Sequence, residues 1–159
     1  MNFAILAPVP RNHLESGLGV LAKLNYVSFG SQKWELFRKI ETLRVSQAVP
    51  VLIYPSHENE VVKLTYQVSW TAWFVGSTED AADKSYDESN GHRPETTLSD
   101  HSGGNDTDGW AAFWRVKDLC QLPEKSWVSI RELDSYASGY WRKNAAPRGP
   151  EIVARPAWI

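Results

Sequence analysis

Between Val61 and Val75 the chain alternates: Leu64, Tyr66, Val68, Trp70, Ala72 and Phe74 fall on one side, and Lys63, Thr65, Gln67, Ser69, Thr71 and Trp73 on the other. A period of two over so long a run predicts a strand buried on one face, and Trp73 is the apolar exception on its polar face. Such a strand is stable only where other elements cover it. Phe3–Ala7, Tyr26–Phe29, Val49–Tyr54 (stopped by Pro55) and Glu151–Ala154 read as short strands. Trp110 to Val116 reads as another, with Trp110, Ala112, Trp114 and Val116 on a common face, followed by a turn over Asp118–Pro123.

Helical spacing is present in two places. Asn12 and Glu15 resemble a capping box ahead of Leu14, Leu18 and Leu21, although Gly17 and Gly19 weaken that helix. Ser31 is placed to cap a second helix, in which Trp34, Phe37 and Ile40 share a face and Lys33, Glu35, Arg38 and Lys39 are mostly solvated. Ile130–Tyr136 is a third, shorter candidate. The order of elements predicts an α+β fold: a small curved, barrel-like mixed β-sheet with two or three flanking helices, as one domain over residues 1–159.

Charge divides the chain. From Gly76 to Gly109 nine acidic residues face only Lys84 and Arg93, a local charge of −7 that leaves +5 on the remainder. With few apolar side chains (Ala81, Ala82, Tyr86, Leu98), residues 78–108 are expected to form an acidic, mobile surface insertion with no core of its own. The mildly basic remainder favours an anionic partner.

Several classes of function are excluded or left without support. A single cysteine, Cys120, cannot build a disulfide framework or a thiolate zinc site. His13, His57, His92 and His101 are scattered, so no metal and no cofactor is expected. There is no phosphate-binding glycine loop, dinucleotide fingerprint or nucleophile elbow. No apolar run approaches the ~20 residues of a membrane span. The opening residues carry no basic leader, so a soluble cytoplasmic domain is expected.

Two features carry the functional reading. At Gly30-Ser31 a turn feeds a helix, offering free backbone N–H groups to an anion or a base edge. Lys33 and Arg38 add positive charge there, and Glu35 can accept from a base amino group. The second feature is eight tryptophans in 159 residues. Most are expected in the core, but a small domain has limited room for indoles that each require an N–H partner. Trp34, after the Gly-Ser turn, and Trp73, on the polar face, are the candidates to stack on a base.

Lys33-Trp34-Glu35-Leu36-Phe37-Arg38, followed by the strand Val51-Leu52-Ile53-Tyr54, resembles the core signature of ASCH domains, which belong to the PUA-like superfamily with the EVE and YTH domains. In the ASCH pattern the lysine stands two after the glycine, the glutamate three after that and the arginine two further. Here the steps from Gly30 through Lys33 and Glu35 to Arg38 are three, two and three. Trp110–Val116, leading through Leu119 to Pro123, is similar to the late strand and proline turn of EVE and YTH domains. The resemblance spans about two thirds of the chain and omits the insertion.

It implies an aromatic pocket that receives a modified or flipped base of DNA or RNA, with Gly30, Ser31, Lys33, Trp34, Glu35, Arg38, Tyr54 and Trp73 as the binding residues. It also implies an alternative, an ASCH-type hydrolase of small nucleoside amides or of RNA, for which Lys33, Ser31 and Glu35 would have to converge. A third reading is a protein-interaction domain that uses the acidic insertion.

Overall fold

The computed structural model describes residues 1–56, 66–79, 84–99, 110–136 and 146–159. The fold is α+β. Six strands form one mixed sheet: β1 (Phe3–Val9), β2 (Val27–Ser31), β3 (Val49–Pro55), β5 (Trp70–Thr78), β6 (Ala112–Gln121) and β8 (Glu151–Ala154). Their order is β2-β6-β5-β3-β1-β8. β1 and β3 are parallel, and every other neighbouring pair in this sheet is antiparallel. β4 (Gln67–Val68) pairs with β7 (Val128–Ser129) as a separate ribbon. Four helices accompany them: α1 (Arg11–Lys23), α2 (Trp34–Arg44), α3 (Lys84–Gly91) and α4 (Glu95–Ser99).

The sheet does not close into a barrel, because β2 and β8 remain its two edges. β1 and β2 lie four strand spacings apart in the order, about 19 Å in a flat sheet. Yet Val9 of β1 and Phe29 of β2 belong to one apolar cluster. Two bulges bend their strands. Thr71 and Trp73 face Cys120 and Lys117, so β6 carries an extra residue; Phe74 and Gly76 face Val116 and Arg115, so β5 carries one. Asp118 takes up the first irregularity with φ 53°. The strand therefore runs through to Gln121, where a turn over Asp118–Pro123 was expected.

The alternation read from the sequence is realised in β5, where Trp70, Ala72 and Phe74 are buried and Thr71, Trp73 and Val75 are partly exposed. Residues 57–65, including Lys63, Leu64 and Thr65, lie outside the described residues. The concave face of the sheet carries the main core, to which α1 adds Leu14 and α2 adds Phe37 and Ile40. Gly17 faces this core, where a β-carbon would make ordinary contact with Leu119, Val27 and Phe29 at 3.4–3.7 Å. The opposite face buries Ala4, Leu6, Leu52, Tyr54 and Val68 with Ile130, Leu133 and Val153.

The helix ends differ from expectation. α1 begins behind Pro10 with no side-chain cap, and Asn12 is already inside it, its Oδ1 accepting from the His13 N–H at 3.0 Å; no capping box forms. Ser31 ends β2, and its Oγ accepts from the Lys33 backbone N–H at 3.0 Å, so it shapes the turn into α2 without being the capping residue. Ile130–Glu132 forms a single 3-10 turn where a short helix over Ile130–Tyr136 was expected.

The centre of the acidic insertion is folded onto the body of the protein. The His92 ring stacks on Tyr26 at 3.9 Å, the Ser28 N–H donates to the His92 carbonyl, and Ser89 and Arg93 are buried. This segment docks through polar groups and one imidazole, so its low apolar content is no bar to burial. It covers the β2 edge of the sheet. Residues 80–83 and 100–109 of the insertion lie outside the described residues. Among the described residues no helix is long and apolar enough to cross a membrane.

Candidate functional site

The ends of β1, β2 and β3 and the approach to β6 border one cavity of about 800 Å³. That size is typical of small-molecule and cofactor sites. Its lining includes Phe29, Tyr54, Tyr66, Trp110 and Trp114, with Pro8, Val9, Pro10 and Pro147; Tyr66 and Trp110 keep exposed ring surface, whereas Phe29, Tyr54 and Trp114 are buried and contribute only edges. Trp114 is anchored from behind by Phe29, at 5.0 Å between ring centroids, and by Phe37 at 5.8 Å and 17°. Trp110 lies against the Gly30 backbone, so near that a β-carbon on Gly30 would stand 2.5 Å from its Cγ. Gly30 is thus the seat of an indole.

The polar groups of the wall come from several elements. Ser31, Gln32 and Lys33 belong to the β2–α2 turn, His13 to α1, and Arg93 and Thr97 to the docked insertion. Arg93 is held by donation to Asn90 Oδ1 and the Thr97 carbonyl, both at 3.3 Å, and its guanidinium lies 5.6 Å from the Phe113 ring centroid. His13 Nδ1 is 2.8 Å from Thr96 Oγ1. Among the described lining residues there are three permanent cations, Lys33, Arg93 and Arg148, and no carboxylate.

One side of the mouth is formed by Ala146–Pro150, the stretch that leads into β8. The Tyr54 hydroxyl donates to the Pro147 carbonyl at 2.8 Å, and Lys33 Nζ donates to the Pro150 carbonyl at 3.0 Å. Lys33 Nζ also pairs with Glu151 at 2.6 Å, and its stem packs on Gly149. Burial pushes the Tyr54 phenol well above its ordinary range, with the Tyr66 and Glu151 charges adding in the same direction. Tyr54 is therefore a neutral donor at physiological pH.

Gly30, Ser31, Lys33 and Tyr54 meet at this cavity. Trp34, Glu35 and Arg38 do not reach it: they form a separate shallow surface concavity with Lys39 and Thr42. There Arg38 lies 4.5 Å over the Trp34 ring and pairs with Glu79 at 2.7 Å. Trp73 sits elsewhere again, on β5 opposite Pro50 and Lys117, with the Arg155 guanidinium 6.0 Å from its ring centroid. The helical face that carries Trp34 and Glu35 turns away from the β2–α2 junction, which separates them from Ser31 and Lys33. Ser31, Lys33 and Glu35 consequently do not converge, and the carboxylate on Lys33 is Glu151.

Among the described residues, the tryptophans that line the cavity are Trp110 and Trp114. Their shared period-two face was visible in the sequence, but it signals only a strand with one apolar side. Arg148, between Pro147 and Gly149-Pro150, reads in sequence as part of a loop, and nothing local ties it to β2 or β3. Among the described residues no group of three His, Cys, Asp or Glu side chains is placed to hold a metal ion. Comparison of the chain with protein-family models, with curated proteins and with solved structures finds no match.

Proposed function

We propose that this chain is a cytoplasmic, PUA-like module that binds DNA or RNA and takes one modified or unpaired base into the cavity walled by Trp110 and Trp114. The observation that carries this reading is the composition of that wall: flat aromatic rings beside Lys33, Arg93 and Arg148, with no carboxylate among the described lining residues. A base is held by its π-face, and each stacking contact is worth ~1–3 kcal/mol. Arg148, exposed on the lining, attracts the phosphate chain that carries the base. The neutral Tyr54 hydroxyl, committed to Pro147, and the Ser31 hydroxyl, committed to the Lys33 N–H, shape the pocket. Backbone groups of the Gly30–Lys33 turn and of Ala146–Pro150 remain candidates to read the base edge.

The test is a titration of fluorescent oligonucleotides, modified and plain, single- and double-stranded, at low and physiological salt. Binding should weaken with salt, and Trp110→Ala should erase the preference for a modified base at a cost of ~1–3 kcal/mol. An absence of binding below about millimolar at low salt, where attraction is least screened, would remove this reading. Turnover of acylated cytidines by the same preparation would favour the hydrolase in its place.

A further inference from the structure

We infer that Arg148 is the phosphate-recognising residue of this cavity, so that its ligand is a nucleotide unit and not a free base or nucleoside. The inference rests on the base-binding reading above and adds the ligand's charge and the residue that senses it.

Three permanent cations line the described part of the wall, and they are not equivalent. Lys33 is occupied: its ammonium pairs with Glu151 at 2.6 Å and donates to the Pro150 carbonyl, so its charge is balanced and its position is structural. Arg93 is buried and spends donors on Asn90 and Thr97 within its own segment. Arg148 is exposed, lines the cavity, and makes no hydrogen bond or ion pair among the described residues. A guanidinium in that position keeps its full fork of donors for a ligand, and that fork matches two phosphate oxygens.

The backbone beneath Arg148 is held on both sides. Tyr54 grips the Pro147 carbonyl and Lys33 grips the Pro150 carbonyl, while the Lys33 stem fills the space beside Gly149. Arg148 therefore stands on a short strap fixed at two points, on the same cavity as the aromatic residues. Holding the backbone in advance lowers the ordering cost of binding. The same cavity thus offers an aromatic surface and an exposed guanidinium, the two chemistries a nucleotide presents.

Isothermal titration would compare adenosine, N6-methyladenosine, cytidine and 5-methylcytidine, each as the nucleoside and as the 5′-monophosphate, with inorganic phosphate as a separate arm. The tightest-binding monophosphate should exceed its nucleoside by roughly tenfold, as for one charge-assisted contact. Arg148→Gln should remove that difference, Arg148→Lys should restore part of it, and Lys125→Gln, on the remote turn Glu124–Ser126, should bind like the wild type. Equal affinity for nucleoside and monophosphate overturns the inference and leaves the base-binding reading in place. Binding of inorganic phosphate as tightly as of the monophosphate overturns it too, because the anion would then be recognised without the base. If no member of the series binds, the inference falls together with the reading beneath it.

Discussion

The indole of Trp110 rests on the bare backbone of Gly30, so that a β-carbon on Gly30 would come within 2.6 Å of three of its ring atoms. Gly30 pairs with Phe113 in the β2–β6 ladder, three residues after Trp110. The contact joins the last strand turn before α2 to the approach of β6 and fixes one aromatic wall of the cavity. Gly30→Ala should displace the ring, cost about 1–3 kcal/mol in stability as overpacking does, and weaken base binding by more than Ser31→Ala. Denaturant unfolding together with oligonucleotide titration checks both effects. A Gly30→Ala protein with wild-type affinity would show that Trp110 is not part of the binding wall.

Val45 ends α2 in the left-handed conformation, at φ 46° and ψ 53°, while 78% of its surface is exposed. A β-branched residue is poorly suited to that region, and its side chain gains little from packing here. Val45→Gly should raise stability by about 1 kcal/mol. The denaturant midpoint should rise with an unchanged slope; a fall would mean that the Val45 side chain has a role in the native state.

Tyr54 and Tyr26 both have phenols raised above their ordinary value of 10.0, chiefly because burial disfavours the phenolate. In the unfolded chain each ionises near that value, whereas in the folded protein each keeps its proton to higher pH. The folded state then binds more protons, and stability falls as pH rises above about 10. Below that pH both states are protonated and these groups contribute no pH dependence. Tyr54→Phe should lose the bond to Pro147 yet unfold with a shallower alkaline limb between about pH 9.5 and 11. The check is the urea midpoint against pH; equal limbs for the variant and the wild type would contradict it.

His92 stacks on Tyr26 with ring centroids 3.9 Å apart and planes within 7°, next to the bond from the Ser28 N–H to the His92 carbonyl. His92→Ala should cost about 1 kcal/mol, the scale of an aromatic pair. Because this segment also supplies Arg93 and Thr97 to the cavity, the variant should loosen ligand binding as well. Proteolysis within the insertion should quicken. Unchanged cleavage rates would show that the stack does not hold the segment down.

Much of the fold was legible from the sequence because burial of one face leaves a local record. The alternation of Trp70, Ala72 and Phe74 predicts β5, and the 3.6-residue spacing of Phe37 and Ile40 predicts the buried stripe of α2. The apolar run at Phe3–Ala7, the run Val49–Tyr54 and the short Glu151–Ala154 each mark a strand of the sheet. Periodicity states which side of an element is apolar. It is silent on which elements then curl toward one another.

That second decision belongs to the tertiary structure. Bulges in β5 and β6 bend their strands, and the assembled sheet sets Trp110 and Trp114 on the cavity while Trp34 and Trp73 remain on other surfaces. Lys33 reaches a carbonyl 117 residues further along the chain, and Tyr54 one 93 residues further, so the strap that carries Arg148 has no local signature. The docking of His92 on Tyr26 escapes composition for the same reason: a polar segment is buried by the particular partners it meets, and those partners are assembled only when the sheet edge has formed. The residues able to build strands and helices are specified by short-range pattern, but the site is specified by long-range closure, which depends on the twist and register of the assembled sheet.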